Sequence, residues 1–256
     1  MKKTIAILLL ATSFCACEND ADNENATSSI TINFTHTWNG QAVTNTDFNI
    51  IKYINEKGNS LSISRLRYLI SNVTLTNTQG ESLTLSDYNL IDVTNTRNVS
   101  FTPTTAIPIG NYNNMAFTFG FNNTDNYVVN GYADLNAASF NVPKMLGGGY
   151  HYMQLDGKFI NNNNEEQGYN YHVIRAVDNL GGNPSFPQDT FFNVDLGPVK
   201  LTSNTVITVE MDIAEWFKTP NTWDLNVLSQ SLMPNASAQI MMFENGQNVF
   251  KLKSIE

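Results

Sequence analysis

Apolar residues alternate with polar ones along most of this chain, and a period of two is typical of β-strands. The first such segment places Ile30, Ile32, Phe34, His36 and Trp38 on one face. Similar segments recur as far as residue 212, separated by turns rich in Asn and Gly. Alternate side chains of a strand point to opposite sides, so every segment offers one face to a core. The sequence therefore predicts an all-β protein, an antiparallel β-sandwich of immunoglobulin or jelly-roll type.

Two short segments depart from this pattern and predict helices. Residues 213–218 follow a strand and stop before Pro220, and the position before a proline disfavours helix. Residues 236–245 begin after Pro234 and end at Gly246, a common helix stop. We therefore expect one or two short helices beside the sandwich.

The first 17 residues have the pattern of an export signal. Lys2 and Lys3 precede an apolar run that is too short to span a bilayer, and Ala16 then precedes Cys17. We interpret this as a lipoprotein signal peptide whose Cys17 becomes lipidated and anchors the protein to a membrane. The protein would then be exported as an outer-membrane lipoprotein, at the cell surface or on the periplasmic face. The alternative is an ordinary signal in which Cys15 and Cys17 are incidental.

The rest of the chain is predicted to be a tether and one domain. Residues 18–29 are acidic and polar, which predicts a flexible tether. Residues 30–256 contain no internal repeat and no central linker, which predicts a single β-sandwich domain. No cysteine follows Cys17, so this domain has neither a disulfide nor a thiolate metal ligand. Its hydrophobic core must therefore stabilise it.

Charge and motifs narrow the class of function. The formal net charge is −9 and no basic run is present, which argues against nucleic-acid binding. The chain contains no GxSxG, HExxH, P-loop or GxGxxG motif. Paired carboxylates for glycoside hydrolysis stay open, because spacing in sequence does not give spacing in the fold. We predict a binding protein rather than an enzyme.

The three histidines are the strongest signal for a site. His36, His151 and His172 lie in the aromatic-flanked segments FTHTW, GYHYM and YNYHV. Imidazole is the commonest metal ligand, and thioether sulfur favours Cu(I). Alternation predicts that His151 and Met153 share a strand face, with His172 on the next strand of a hairpin, about 5 Å away. For each histidine the alternative is a packed residue that is hydrogen-bonded to a neighbour.

Several segments, in order, resemble the MbnP-like copper-binding domain family of exported bacterial proteins. They are FTHTWNG, RLRYLISNVTL, IGNYNNMAFTFGF, MLGGGYHYMQLDGKF followed by YNYHVIRA, MDIAEWF and IMMFENGQNVF. The resemblance implies a β-sandwich that binds copper near the cell surface. In some members of the wider group, histidines hold the copper together with a tryptophan that is oxidised to kynurenine.

The resemblance also implies particular ligands. His36 matches the family's first-strand histidine, His172 matches its Tyr-x-His histidine, and His151 belongs to a variant of its Gly-Tyr strand. The family often carries tryptophans before Gly149, whereas this chain has MLGG there, which leaves Trp38 as the nearby tryptophan. The predicted metal ligands are His36, His172, His151, Met153, Met145 and Trp38.

Copper, as Cu(I) or Cu(II), is the predicted cofactor, and zinc stays open because it uses the same imidazoles. Two oxygen-rich stretches make calcium a second expectation. They are residues 122–125 and 178–179, although neither has EF-hand spacing.

We therefore predict a lipid-anchored copper-binding protein for acquisition, handling or storage, with a copper-transport partner. One alternative is a glycan-binding or adhesive surface lipoprotein, which would expose Trp38 and Trp223 on one face. Another is a structural domain whose histidines only pack, and these would lie more than about 10 Å apart because ligand atoms sit about 2 Å from a metal.

Overall fold

The computed structural model describes residues 26–179 and 182–256. The predicted signal peptide, Cys17 and most of the predicted tether lie outside these residues. The first strand begins at Thr27, so the ordered domain starts three residues earlier than the sequence pattern suggests.

The described residues form fourteen strands and several short helices. The strands are β1 (Thr27–Trp38), β2 (Gln41–Ala42), β3 (Tyr53–Ile54), β4 (Ser60–Leu61), β5 (Arg65–Asn77), β6 (Ser82–Asp92), β7 (Ser100–Phe101), β8 (Ile107–Pro108), β9 (Gly110–Phe119), β10 (Met153–Ile160), β11 (Glu166–Val173), β12 (Phe192–Leu201), β13 (Asn204–Asp212) and β14 (Phe250–Ile255). The α-helices are α1 (Asn123–Asn126), α2 (Ala133–Ala137) and α3 (Ala236–Gly246), and the 3-10 helices are Asn45–Asp47, Lys144–Leu146 and Ile213–Phe217.

Two sheets pack face to face, which confirms the predicted all-β sandwich. The first sheet runs β14-β13-β1-β2, with β7 and β8 also paired to β1. The second runs β12-β9-β5-β10-β4-β3, with β6 paired to β5 and β11 paired to β10. Most pairs are antiparallel, but β1 and β13 are parallel, from Ser29 opposite Asn204 to Thr37 opposite Asp212.

The alternation of β1 explains its place in the core. Ile30, Ile32 and Phe34 are buried while Thr31 and Asn33 between them are more exposed, so one face of β1 points into the sandwich. From the second sheet, Tyr68 and Phe117 meet this face, and both rings make edge contacts with Phe34. Aromatic contacts of this kind dominate the interior and stabilise it beyond simple burial.

The helices follow the prediction in part. Helix α3 has nearly the predicted bounds, and the Asn235 side chain caps its first turn by accepting from the Ala238 amide. The predicted helix at 213–218 is a 3-10 helix, Ile213–Phe217. Among the described helices, none has the length and apolar character needed to cross a membrane.

Helix α3 is fastened to the second sheet by one buried side chain. Gln239 accepts from the Ile174 amide and donates to the carbonyls of His172 and Leu232, at 2.8, 2.8 and 3.1 Å. Three backbone groups are thereby satisfied by one amide. This contact fixes the end of β11, where His172 lies.

Candidate metal centre

The β10–β11 hairpin decides which side chains share a face. Gln154 lies opposite His172, and Asp156 lies opposite Asn170. Opposite residues of an antiparallel pair point to the same side, so all four lie on one face of the second sheet. Met153, which lies between Gln154 and Tyr152 in sequence, points to the other face.

That other face is the interior of the sandwich. Met153 lies opposite Val173 on β11 and opposite Tyr68 on β5, and all three side chains are fully buried in the main core. The face that carries His172 is therefore the outer face of the second sheet.

His151 reaches this outer face from the loop before β10. Its backbone amide and its Nδ1 both lie 2.9 Å from the carbonyl oxygen of Phe140. A carbonyl oxygen only accepts, so Nδ1 carries the proton and Nε2 keeps a lone pair. Within the described residues, this buried Nε2 has no hydrogen-bond partner. Burial is the main cause that lowers the pKa of His151 to about 4, so the ring is neutral at pH 7.

The glycine run before His151 sets the path of the backbone that leads His151 to the outer face. Gly147, Gly148 and Gly149 all have positive φ, at 90°, 70° and 78°. A Cβ on Gly149 would lie 2.6 Å from the amide nitrogen of Asn126, whose oxygen accepts from the Tyr150 amide. Only glycine combines this backbone conformation with this close approach.

His172 is held by a carboxylate. Its Nε2 lies 2.8 Å from Oδ1 of Asp156, which also accepts from the Asn170 amide at 2.6 Å, while Arg65 Nε donates to Oδ2. Burial raises the pKa of Asp156, but the hydrogen bonds from His172, Asn170 and Arg65 outweigh it and lower the pKa to about 2. A carboxylate only accepts, so Nε2 is the nitrogen that donates to Asp156, and in a neutral imidazole the other nitrogen, Nδ1, then has the lone pair.

The two imidazoles meet edge to face. Their ring centroids are 5.2 Å apart and their planes lie at 82°. A cavity of about 260 Å³ opens beside His172, and its lining includes Asn170, Leu232 and the half-buried Met233. Sequence reasoning missed Met233 because it follows His172 by about 60 residues and reaches the site only through the packing of α3.

His36 does not join the pair, which corrects the expectation that three histidines meet. Its Nε2 lies 3.0 Å from the hydroxyl of Tyr68, on the interior side of the second sheet. The sheet therefore separates His36 from His172. Burial lowers the pKa of His36 to about 4, so this imidazole is a neutral, packed core residue.

The remaining predicted ligands also lie elsewhere. Trp38 packs against Tyr53 and Phe217 in the core, and its Nε1 donates to the Ile54 carbonyl at 3.2 Å. Met153 is in the core, and its predicted shared face with His151 is wrong because β10 begins only at Met153. Met145 is 70% exposed in the 3-10 helix Lys144–Leu146 before the glycine run, and its role as a ligand stays a prediction.

The site offers few side chains that could ligate a metal. Across residues 26–179 and 182–256, the His, Cys, Asp and Glu side chains form no group of three or more that could hold a metal ion. The histidine pair offers two nitrogen lone pairs, because Asp156 is already occupied by three donors. This donor set suits a metal that accepts few ligands.

Of the two oxygen-rich stretches proposed for calcium, residues 122–125 are used largely for local structure. Asn122 Oδ1 accepts from the amides of Thr124 and Asp125, and Asn122 Nδ2 donates to the Asp125 carboxylate. Asn123 donates to Asp189. The contacts of Asn122 cap α1, and calcium binding stays a prediction.

Comparison with known proteins identifies the family of this chain. The sequence matches the family model for MbnP over residues 27–242, from β1 into α3. The protein belongs to the MbnP family. The structure of MbnP from Methylosinus trichosporium is similar, with a TM-score of 0.54 over 84% of this chain and 87% of that chain. The two are 14% identical, so this likeness shows a shared fold. A comparison with curated proteins gives no match. All three histidines lie within the MbnP match.

Proposed function

We propose that this member of the MbnP family binds copper through His151 and His172. The observation that carries the proposal is the buried Nε2 of His151, which lacks a partner among the described residues and lies beside a second imidazole. A buried polar atom without a partner is costly, and a bound ion would satisfy it. Phe140 and Asp156 occupy the other nitrogens, so each ring would offer one lone pair to a metal.

The donor set favours Cu(I). Zinc in proteins usually takes three or four protein ligands, and the described His, Cys, Asp and Glu side chains provide no such group. Imidazole suits copper, and thioether sulfur adds preference for Cu(I). Met233 lines the cavity beside His172, and its thioether sulfur is a candidate third donor. Bound there, copper would be cargo that is held and released.

The cellular setting belongs to the same proposal. We propose that the protein is exported, anchored by a lipid on Cys17 at the outer membrane, and acts in copper acquisition, handling or storage with a transport partner rather than as an enzyme. The basic and apolar residues before Cys17 support the anchor.

The alternatives have less support. A glycan-binding surface was expected to expose Trp38 and Trp223, but these side chains are 5% and 0% exposed. A purely structural role for the histidines was expected to leave them far apart, whereas the rings of His151 and His172 are in contact. Copper binding is therefore the function that the geometry supports best.

Metal content and competition with a Cu(I) chelator test the proposal. We expect the wild type to hold one copper and the variants His151→Ala and His172→Ala to lose it. His36→Gln is the matched control, because this histidine lies on the other side of the sheet, and it should retain copper. Unchanged binding in both alanine variants, with folding confirmed by circular dichroism, would contradict the proposal.

A further inference from the structure

We infer that Asp156 is the positioning residue of this site: it fixes the proton of His172 on Nε2 and so leaves Nδ1 free for a metal. The inference rests on the proposed copper function, and it adds a residue that neither the sequence motifs nor the family match assigns. The sequence gives Asp156 only as part of the strand MQLDGKFI.

The first support is the chemistry of the contact. A neutral imidazole has one donor nitrogen and one acceptor nitrogen, and the partner of one nitrogen decides the role of the other. Asp156 Oδ1 is 2.8 Å from His172 Nε2 and can only accept. Histidines that ligate metals commonly donate their second N–H to a carboxylate, which orients the ring and raises its basicity.

The second support is that Asp156 is itself held in place. Arg65 lies opposite it on β5, and Asn170 lies opposite it on β11. Both side chains donate to the carboxylate, and the residue is 7% exposed. The register of three strands therefore fixes the carboxylate, and the carboxylate fixes the imidazole.

This arrangement makes a specific prediction for Asp156→Asn, which keeps the shape of the side chain. The amide NH₂ must face either Arg65 or His172, because both oxygens of Asp156 now receive donors. Arginine cannot give up its proton, whereas a histidine can move its proton to the other nitrogen. The amide will therefore point its NH₂ at His172, Nε2 will accept, and the proton will move to Nδ1. Asn170, whose side-chain amide also donates to Oδ1 in the wild type, can turn its amide so that its oxygen accepts.

A second substitution should reverse the effect. In the double variant Arg65→Gln/Asp156→Asn, the carbonyl oxygen of the introduced glutamine can accept from the NH₂ of the introduced asparagine. The asparagine carbonyl oxygen can then face His172, which restores the proton to Nε2. A residue with a merely structural role would not be rescued by removing a second native contact.

The experiment combines NMR of the metal-free protein with Cu(I) competition. Two-bond ¹H–¹⁵N spectra identify the protonated nitrogen of His172. We expect Nε2–H in the wild type, Nδ1–H in Asp156→Asn, and a return to Nε2–H in the double variant. Cu(I) affinity should fall about 10- to 100-fold in Asp156→Asn and recover in the double variant. Glu210→Gln is the matched control, because Glu210 is a buried carboxylate that pairs with Lys251 and Lys253 in the other sheet.

The outcomes separate the two proposals. His172 keeping Nε2–H in Asp156→Asn, or an equal loss of affinity in Glu210→Gln, would overturn the role of Asp156. A wild type that binds no Cu(I) and yet shows the tautomer switch would overturn the copper proposal and leave the control of His172 by Asp156 in place.

Discussion

At the scale of single residues, this protein uses its three histidines in two different ways. His36 is a neutral core residue bonded to Tyr68, whereas His151 and His172 share the outer face of the second sheet. The difference lies in what each imidazole contacts, and not in the aromatic sequence around it, which is similar for all three. Sequence context alone therefore could not separate the packed histidine from the pair.

The pH dependence of stability should report on His36. Burial lowers its pKa from 6.5 to about 4. Between these values the unfolded chain binds more protons, so the contribution of His36 to stability is full above pH 6.5 and falls by about 3 kcal/mol as the pH drops towards 4. His151, whose pKa is lowered in the same way, adds a loss over the same window that both proteins share. Glutamine does not titrate and can bond to Tyr68, so His36→Gln should lose less stability over this window. Urea unfolding at neutral and acid pH measures this loss of stability in the wild type and in His36→Gln. An equal loss in the two proteins would exclude His36 as the titrating group.

At the scale of elements, the β10–β11 hairpin positions the site. Its register puts Gln154, Asp156 and His172 on one face, and the neighbouring β5 brings Arg65 to the same place. The alternating pattern in the sequence predicts this hairpin. It does not predict where β10 begins, and that boundary decides the face to which His151 belongs.

Gly157 allows β10 to pass close to the chain around Ser62. A Cβ at this position would lie 1.9 Å from the Ser62 carbonyl oxygen, and the Ser62 amide donates to the Lys158 carbonyl at 2.8 Å. Gly157→Ala should therefore lower the free energy of unfolding by about 3 kcal/mol, the upper range for overpacking. Gly168→Ala on β11 is the control, because its nearest atom would be 3.8 Å away. Chemical denaturation measures the free energy of unfolding of the two variants. A similar small loss in both would refute this role of Gly157.

Helix α3 should stabilise the histidine pair through Gln239. Gln239→Leu leaves the Ile174 amide and the carbonyls of His172 and Leu232 without this partner. We expect a loss of about 2–4 kcal/mol in unfolding free energy, because buried unpaired polar groups cost about 1–3 kcal/mol each. Hydrogen exchange should also become faster at Ile174. Gln247→Leu, at the exposed C-cap of the same helix, should leave both quantities unchanged. Equal effects of the two substitutions would argue against the anchoring role of Gln239.

At the scale of the whole molecule, the sequence predicts the sandwich better than the site. Alternation such as that of β1 is local and reports directly on a strand, which is why the fold class is confirmed. The parallel pairing of β1 with β13 joins residues about 175 positions apart, and no local pattern encodes it. Met233 reaches His172 in a similarly non-local way, whereas Asp156 reaches it through the register of the β10–β11 hairpin. The family resemblance carries His36 and His172 together, but the intervening sheet separates them.

Joint binding of copper by His151 and His172 can be observed by X-ray absorption of the Cu(I)-loaded protein. We predict imidazole nitrogens at about 2 Å from the metal. The spectrum should be preserved in His36→Gln and lost, together with the copper, in the double variant His151→Ala/His172→Ala. Copper bound without imidazole, or an unchanged spectrum in that double variant, would contradict joint binding.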